Sequence, residues 1–158
     1  MLHGSKVVGG PSLNPSLAKG LDRYLNNRAG VIVNSRNMRE AAKGDVCKMY
    51  NCVNLERDDA FLQCLLWRNL DISQQPQTFQ VLLNHIGIKP AGMITTLSFQ
   101  KNAHSFEEKF PVTATQIKRK SYVDDLGITG HNRQEVRKRA EEVDLILEHA
   151  NMKVERWI

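Results

Sequence analysis

Apolar and polar positions along the chain alternate between two periods. Asn14-Pro15 reads as a helix start, with Asn at the N-cap and Pro at the first helical position. Leu17, Leu21, Tyr24 and Leu25 then recur at helical spacing, and Ile32 can continue the same face. Ser35-Arg36-Asn37 reads as a turn, and Ala41 to Cys47 as a strand in which Gly44 allows close approach of a neighbour. A short helix is expected from Glu56 to about Gln63. Leu65-Leu66-Trp67 and Phe79 to Leu83 read as two strands of an antiparallel hairpin across the polar loop Arg68 to Gln77. Pro90 pre-sets a helix over Met93 to Ala103, and Pro111 to Arg119 forms another. After Gly130, Asn132 with Glu135 three residues later makes a capping box. Val136, Ala140, Val143 and Leu147 form the apolar stripe of the helix that follows. Met152 to Ile158 alternates as a final strand, Met152, Val154 and Arg156 against Lys153, Glu155 and Trp157.

Hairpins rather than crossovers, interleaved with helices, predict an α+β fold: an antiparallel sheet with helices packed on one face. Residues 1–13 are Gly-rich and expected to be loose, and residues 14–158 form one domain large enough to bury a core. Hydrophobic content of 41% with 25% charge is ordinary for a globular chain, and no apolar run approaches membrane length. No signal peptide stands at the N-terminus, so the expectation is a soluble intracellular protein, cytoplasmic or nuclear, with no membrane partner. Cys47, Cys52 and Cys64 lack the paired spacing of a zinc site or a disulfide framework. The net charge of +5 permits a nucleic-acid partner without requiring one.

The chemistry is concentrated in Lys118-Arg119-Lys120-Ser121-Tyr122-Val123-Asp124-Asp125-Leu126-Gly127-Ile128-Thr129-Gly130. Two adjacent carboxylates stand between two strand-favouring runs, as at the tip of a hairpin. Such a pair can be plain turn chemistry. It can also present oxygens to Mg²⁺, a hard cation that takes few protein ligands and keeps waters or phosphates. Neighbours on an extended strand face opposite ways, so the two acids cooperate only at a tight tip. Asp58-Asp59 is an internal control: that pair opens a helical turn, where carboxylates suit the helix dipole.

A third acid and two flanking segments make the pattern specific. Asp45 with Lys48-Met49-Tyr50, then Gly87-Ile88-Lys89-Pro90-Ala91-Gly92, then Tyr122-Val123-Asp124-Asp125, together with Leu65-Leu66-Trp67, stand in a definite order and spacing. In that order the chain resembles the reverse transcriptases of BEL/Pao-type retrotransposons, from roughly Asn14 onward. The resemblance implies a polymerase palm, partial in that most of the fingers and all of the thumb are missing. The implied function is RNA-directed DNA synthesis, adding a deoxynucleoside triphosphate to the 3′-hydroxyl of a primer on an RNA or DNA template. The alternative is a retroelement remnant that binds nucleic acid without catalysis, or that has no activity.

The resemblance also implies roles. Asp45 and Asp124 would be the principal ligands of two Mg²⁺ ions (Mn²⁺ as substitute), with Asp125 in support and the carbonyl of Val46 completing one site. Such ions lie about 3.5–4 Å apart and clamp the attacking and leaving oxygens. Tyr50 falls where the family places an aromatic ring under the sugar, excluding a 2′-hydroxyl. Ile86 and Gly87 fall in the loop beneath the nucleotide, where the family has Phe-Gly. Lys89 and Tyr122 are candidate nucleic-acid contacts. Arg156 stands where the family has Lys before a Trp, and keeps the charge without a transferable proton.

Overall fold

A computed structural model describes residues 13–20 and 25–158. The loose segment expected over residues 1–13 lies, except for Leu13, outside the described residues, as do Leu21 and Tyr24.

Among the described residues there are six strands: β1 (Glu40–Cys47), β2 (Cys64–Trp67), β3 (Gln77–Gln80), β4 (Ser121–Tyr122), β5 (Asp125–Gly130) and β6 (Lys153–Trp157). The helices are α1 (Leu13–Ser16), α2 (Arg28–Ser35), α3 (Arg57–Ala60), α4 (Ala91–His104), α5 (Pro111–Lys120) and α6 (Arg133–Glu148), with a 3₁₀ turn at Met49–Cys52. The fold is α+β, and its main sheet is antiparallel in the order β4-β5-β1-β6.

Period two decides which face of the sheet is dry. Ala42, Gly44 and Val46 pair with, or lie beside, Leu126 and Ile128 and turn inward, whereas Ala41, Lys43 and Asp45 are exposed. The inner face packs with Phe99 of α4, Ile117 of α5, and Val143, Ile146 and Leu147 of α6 in one apolar cluster. Gly44 has a direct packing reason. A Cβ there would stand 2.6 Å from Cγ1 of Val154 and 3.1 Å from the ring of Trp157. Helix α2 meets β4, β5 and α5, its Ser35 facing Gly127 from the Lys43 side of the sheet.

Three expectations are modified. The helix predicted from Pro15 through Ile32 does not run unbroken: among the described residues α1 ends at Ser16 and α2 begins at Arg28. Asn14 does not cap; its side chain donates to the carbonyl of Gly87 at 2.9 Å and accepts from the amide of Lys89 at 2.7 Å. Gly20 adopts φ +83 where a Cβ would collide with Met93, and Asn27 caps the second helix by accepting from the amide of Gly30. Strand β3 ends at Gln80 rather than Leu83, because the chain turns there to pair with another segment. The amide of Leu55 donates to Leu82, and Asn54 bridges Leu83. Finally, the alternation of β6 breaks: the β1–β6 register shifts between Gly44 and Val46, so Trp157 joins Val154 on the core while Arg156 is exposed.

The capping box forms as expected. The amide of Glu135 donates to Asn132 Oδ1 at 2.9 Å, and the Glu135 carboxylate accepts from the amide of His131 at 3.1 Å. Val143 and Leu147 of the predicted stripe are buried, with Val136 and Ala140 packed against the core. Arg139 does not belong to a wholly solvated face; its guanidinium donates to the carbonyl of Thr129 and pairs with Glu135. No described helix is long and apolar enough to cross a membrane.

Candidate active site

The hairpin tip is two residues, Val123 and Asp124, between Tyr122 and Asp125, which pair across β4 and β5. Val123 sits at φ +55. A β-branched residue in the left-handed region is strained, and such strain persists only where the surrounding structure over-determines it. Two attachments do so. The side-chain amide of Asn26 donates to the carbonyls of Lys118 and Ser121, both at 2.8 Å, fixing the entry to β4. The amide of Val46 donates to the carbonyl of Asp124 at 2.9 Å, tying the tip to β1.

This register brings together acids about eighty residues apart in sequence. Asp45 is the direct cross-strand partner of Asp125, at the last pair of the β1–β5 ladder, and Asp124 stands beside them on the tip. Lys43, two residues before Asp45 and on the same face, forms an ion pair with Asp125 at 2.8 Å. A cleft of about 500 Å³ opens over them, lined by Lys43, Gly44, Asp45, Asp125, Glu155, Arg156 and Ile158.

Electrostatics report the crowding. The Asp45 carboxyl is pushed above the ordinary carboxylate range, first by local loss of water and then by the charges of Asp124, Asp125 and Glu155, which Lys43 opposes only in part. The Lys43 ammonium is held above its usual value by its hydrogen bond to Asp125 and by that carboxylate's charge, with Asp45 and Asp124 adding. The control pair Asp58-Asp59 is in the first turn of α3 and is not among the charges acting on Asp45.

Tyr50 lies in the 3₁₀ turn that follows β1, entered through Lys48 at φ +50. Its phenol, partly buried, is pushed up by burial and then by the charge of Asp124. Its hydroxyl lies 3.8 Å from where a Cβ on Gly92, in the first turn of α4, would stand. Asn84 holds that turn: fully buried, it donates to the carbonyl of Ala91 at 3.0 Å and to Oγ1 of Thr95 at 2.6 Å. Ile86 is exposed and Gly87 takes φ +108, in the loop that Asn14 tethers. Lys89 points its ammonium at the carbonyl of Pro15, 3.2 Å away, and is thereby drawn into holding α1. Tyr122 is partly buried beside Arg28, Lys120 and Asp125 in a second cleft under α2.

The donors suit a hard cation in kind, being carboxylate oxygens with excess negative charge. They are not yet grouped as ligands. Among the described residues, no three His, Cys, Asp or Glu side chains converge closely enough to hold a metal ion. Of these carboxylates, that of Asp125 is engaged by Lys43.

Sequence reasoning missed three contributors. Lys43 was legible from parity alone, two places before Asp45 on a strand. Glu155 was not, because its approach to Asp45 depends on the β1–β6 register. Asn14 read as a helix cap, and only the tertiary contact shows it holding the Gly87–Lys89 loop. Compared with models of known protein families the chain finds no match, and it finds none among curated proteins.

Proposed function

We propose that the chain is the palm of an RNA-directed DNA polymerase, with Asp45, Asp124 and Asp125 as its acid cluster. One observation carries the reading: two strands distant in sequence pair so that Asp45 faces Asp125, with the Asp124 carbonyl on the Val46 amide. The resemblance in motif order concerns these same residues. Asp45 and Asp124, with Asp125 in support and the carbonyl of Val46, would hold Mg²⁺ or Mn²⁺. When bound, those ions supply charge neutralisation at the attacking and leaving oxygens of a phosphoryl transfer.

The chain's own residues do the positioning. The strained two-residue tip presents Asp124 at the end of the sheet, and the Val46 amide keeps it there. Tyr50 stands between the tip and α4, where its ring can exclude the 2′-hydroxyl of a ribonucleotide while admitting a deoxynucleotide. Ile86 and Gly87 belong to the tethered loop before α4, on which the template base and nucleotide would rest. The partners of this reading are an RNA or DNA template-primer and deoxynucleoside triphosphates. Positioning of this kind supplies much of the rate in two-substrate reactions.

A second reading, a nucleic-acid-binding module without catalysis, is favoured by the engagement of Asp125 with Lys43. Mn²⁺ titration and primer extension on an RNA template separate the two. The palm reading expects Asp45→Asn and Asp124→Asn each to weaken Mn²⁺ binding at least about tenfold, the scale on which even outer-shell partners act. Salt-sensitive binding of nucleic acid should survive both changes. Mn²⁺ affinity indifferent to both substitutions would overturn the palm reading, and nucleic-acid binding with no acid-dependent incorporation would leave the second.

A further inference from the structure

Lys43 is the one cation in direct contact with the acid cluster among the described residues, and nothing in the proposed chemistry uses it. Its placement follows from the sheet. On β1, Lys43 and Asp45 point to the same outer face. The residue opposite Lys43 is Gly127, which offers no side chain, and the residue opposite Asp45 is Asp125. A long side chain can therefore lie along the diagonal of the strand pair, a span of about 7–8 Å between Cα positions, and set its ammonium on Asp125. It does so at 2.8 Å, while the stem stays in the wall of the acid cleft.

We infer that Lys43 is a tethered counter-cation, a positioning residue that holds the Asp125 carboxylate and has to release it before a divalent ion takes the cluster. The inference rests on the palm reading for the identity of the competing ion. The physical reason is competition for one set of oxygens. Asp45, Asp124 and Asp125, with Glu155 nearby, repel one another, and positive charge beside them relieves that repulsion. A single ammonium supplies part of that charge while no metal is bound. A divalent ion supplies more of it, but has to approach against the ammonium and needs the oxygens that the ammonium occupies. Lys43 thus lets the acids fold close together in the absence of metal, at the expense of metal affinity. It makes loading of the site depend on an ion arriving with further anionic ligands, such as a triphosphate.

The test is Mn²⁺ titration of the whole chain without nucleic acid, read by the loss of free-ion magnetic resonance signal. Wild type is compared with Lys43→Met, which keeps the stem, and Lys43→Arg, which keeps the charge. Lys43→Met should bind about tenfold more tightly, the size of a unit-charge repulsion of a divalent ion across several ångströms of water. Lys43→Arg should stay near wild type. Unchanged or weaker binding by Lys43→Met, with Asp45→Asn still abolishing it, overturns the inference and leaves the palm reading intact. Binding that is indifferent to Asp45, Asp124 and Lys43 alike overturns both. A metal-free readout is independent of either: denaturant midpoints for Lys43→Met, Asp125→Asn and the double variant. Non-additive midpoints support the ion pair, and additive ones overturn it.

Discussion

The two sheets among the described residues start from similar sequence and end differently. Strands β2 and β3 carry Leu65, Leu66, Trp67 and Phe79, as apolar a set as Leu126 and Ile128 of β5. Yet Leu66 is 68% exposed and Phe79 44%, whereas Leu126 is 1% exposed and Ile128 0%. Both regions pair correctly as antiparallel strands. The difference is what covers them. The four-stranded sheet has α4, α5 and α6 gathered into one core with its inner face. The two-stranded ribbon is tied to α3 and the turn after it by hydrogen bonds: the Gln80 side-chain amide donates to the carbonyl of Arg57, and the Cys64 thiol donates to the carbonyl of Phe61. A strand signal thus reports backbone preference, and burial is decided by whether another layer is available. The candidate site sits at the end of the two central strands of the covered sheet, where a packed inner face holds the carboxylates of the outer face in place.

That contrast can be broken most directly by truncating one apolar side chain in each region. Ile128→Ala should cost about 2–5 kcal/mol, because it opens a cavity in a packed core. Leu66→Ala should fall within about 0.5 kcal/mol of wild type, as surface substitutions do. Denaturant midpoints decide it, and an equal loss at both positions would mean that the ribbon is covered in solution.

The next largest effect sharpens the comparison within the main sheet. Gly44→Ala places a methyl group 2.6 Å from Val154 and against Trp157. Overpacking of this kind should cost about 1–3 kcal/mol. It should also disturb the neighbouring Asp45, so Mn²⁺ affinity is expected to fall along with stability. A tolerated alanine with unchanged metal binding would show that β6 can move away freely.

The smallest effect concerns the outer face. The Asp45 carboxyl has its pKa raised from the ordinary 3.8 in the folded state. The native chain therefore binds that proton more tightly than the unfolded chain does. The stability it contributes is fully present below 3.8 and is lost as pH rises through the raised folded value. Asp45→Asn removes this dependence, so the variant should gain on wild type as pH is raised from about 3 to about 7, without added metal. Parallel pH curves for the two proteins would show that the carboxylates are too well solvated to repel one another.

Much of the local structure was determined by the sequence alone. Period two placed Asp45 on a strand, and Gly44 marked the close approach of a neighbour. Pro111 opened α5 in its first turn, and Asn132 with Glu135 capped α6. These are short-range effects: a fixed φ, a missing Cβ, a side chain reaching three residues along its own chain. The tertiary structure decided the rest. Asn14 had the right chemistry for a cap and was drawn instead to Gly87 and Lys89. Trp157 left its alternating face because the register shifts beside Gly44. The facing of Asp45 and Asp125, the reach of Lys43 and the nearness of Glu155 all depend on which strands lie side by side and in what register. Strand pairing joins backbone groups distant in sequence, and its register is chosen by the packing of the whole inner face, so no local pattern around Asp45 could have specified it.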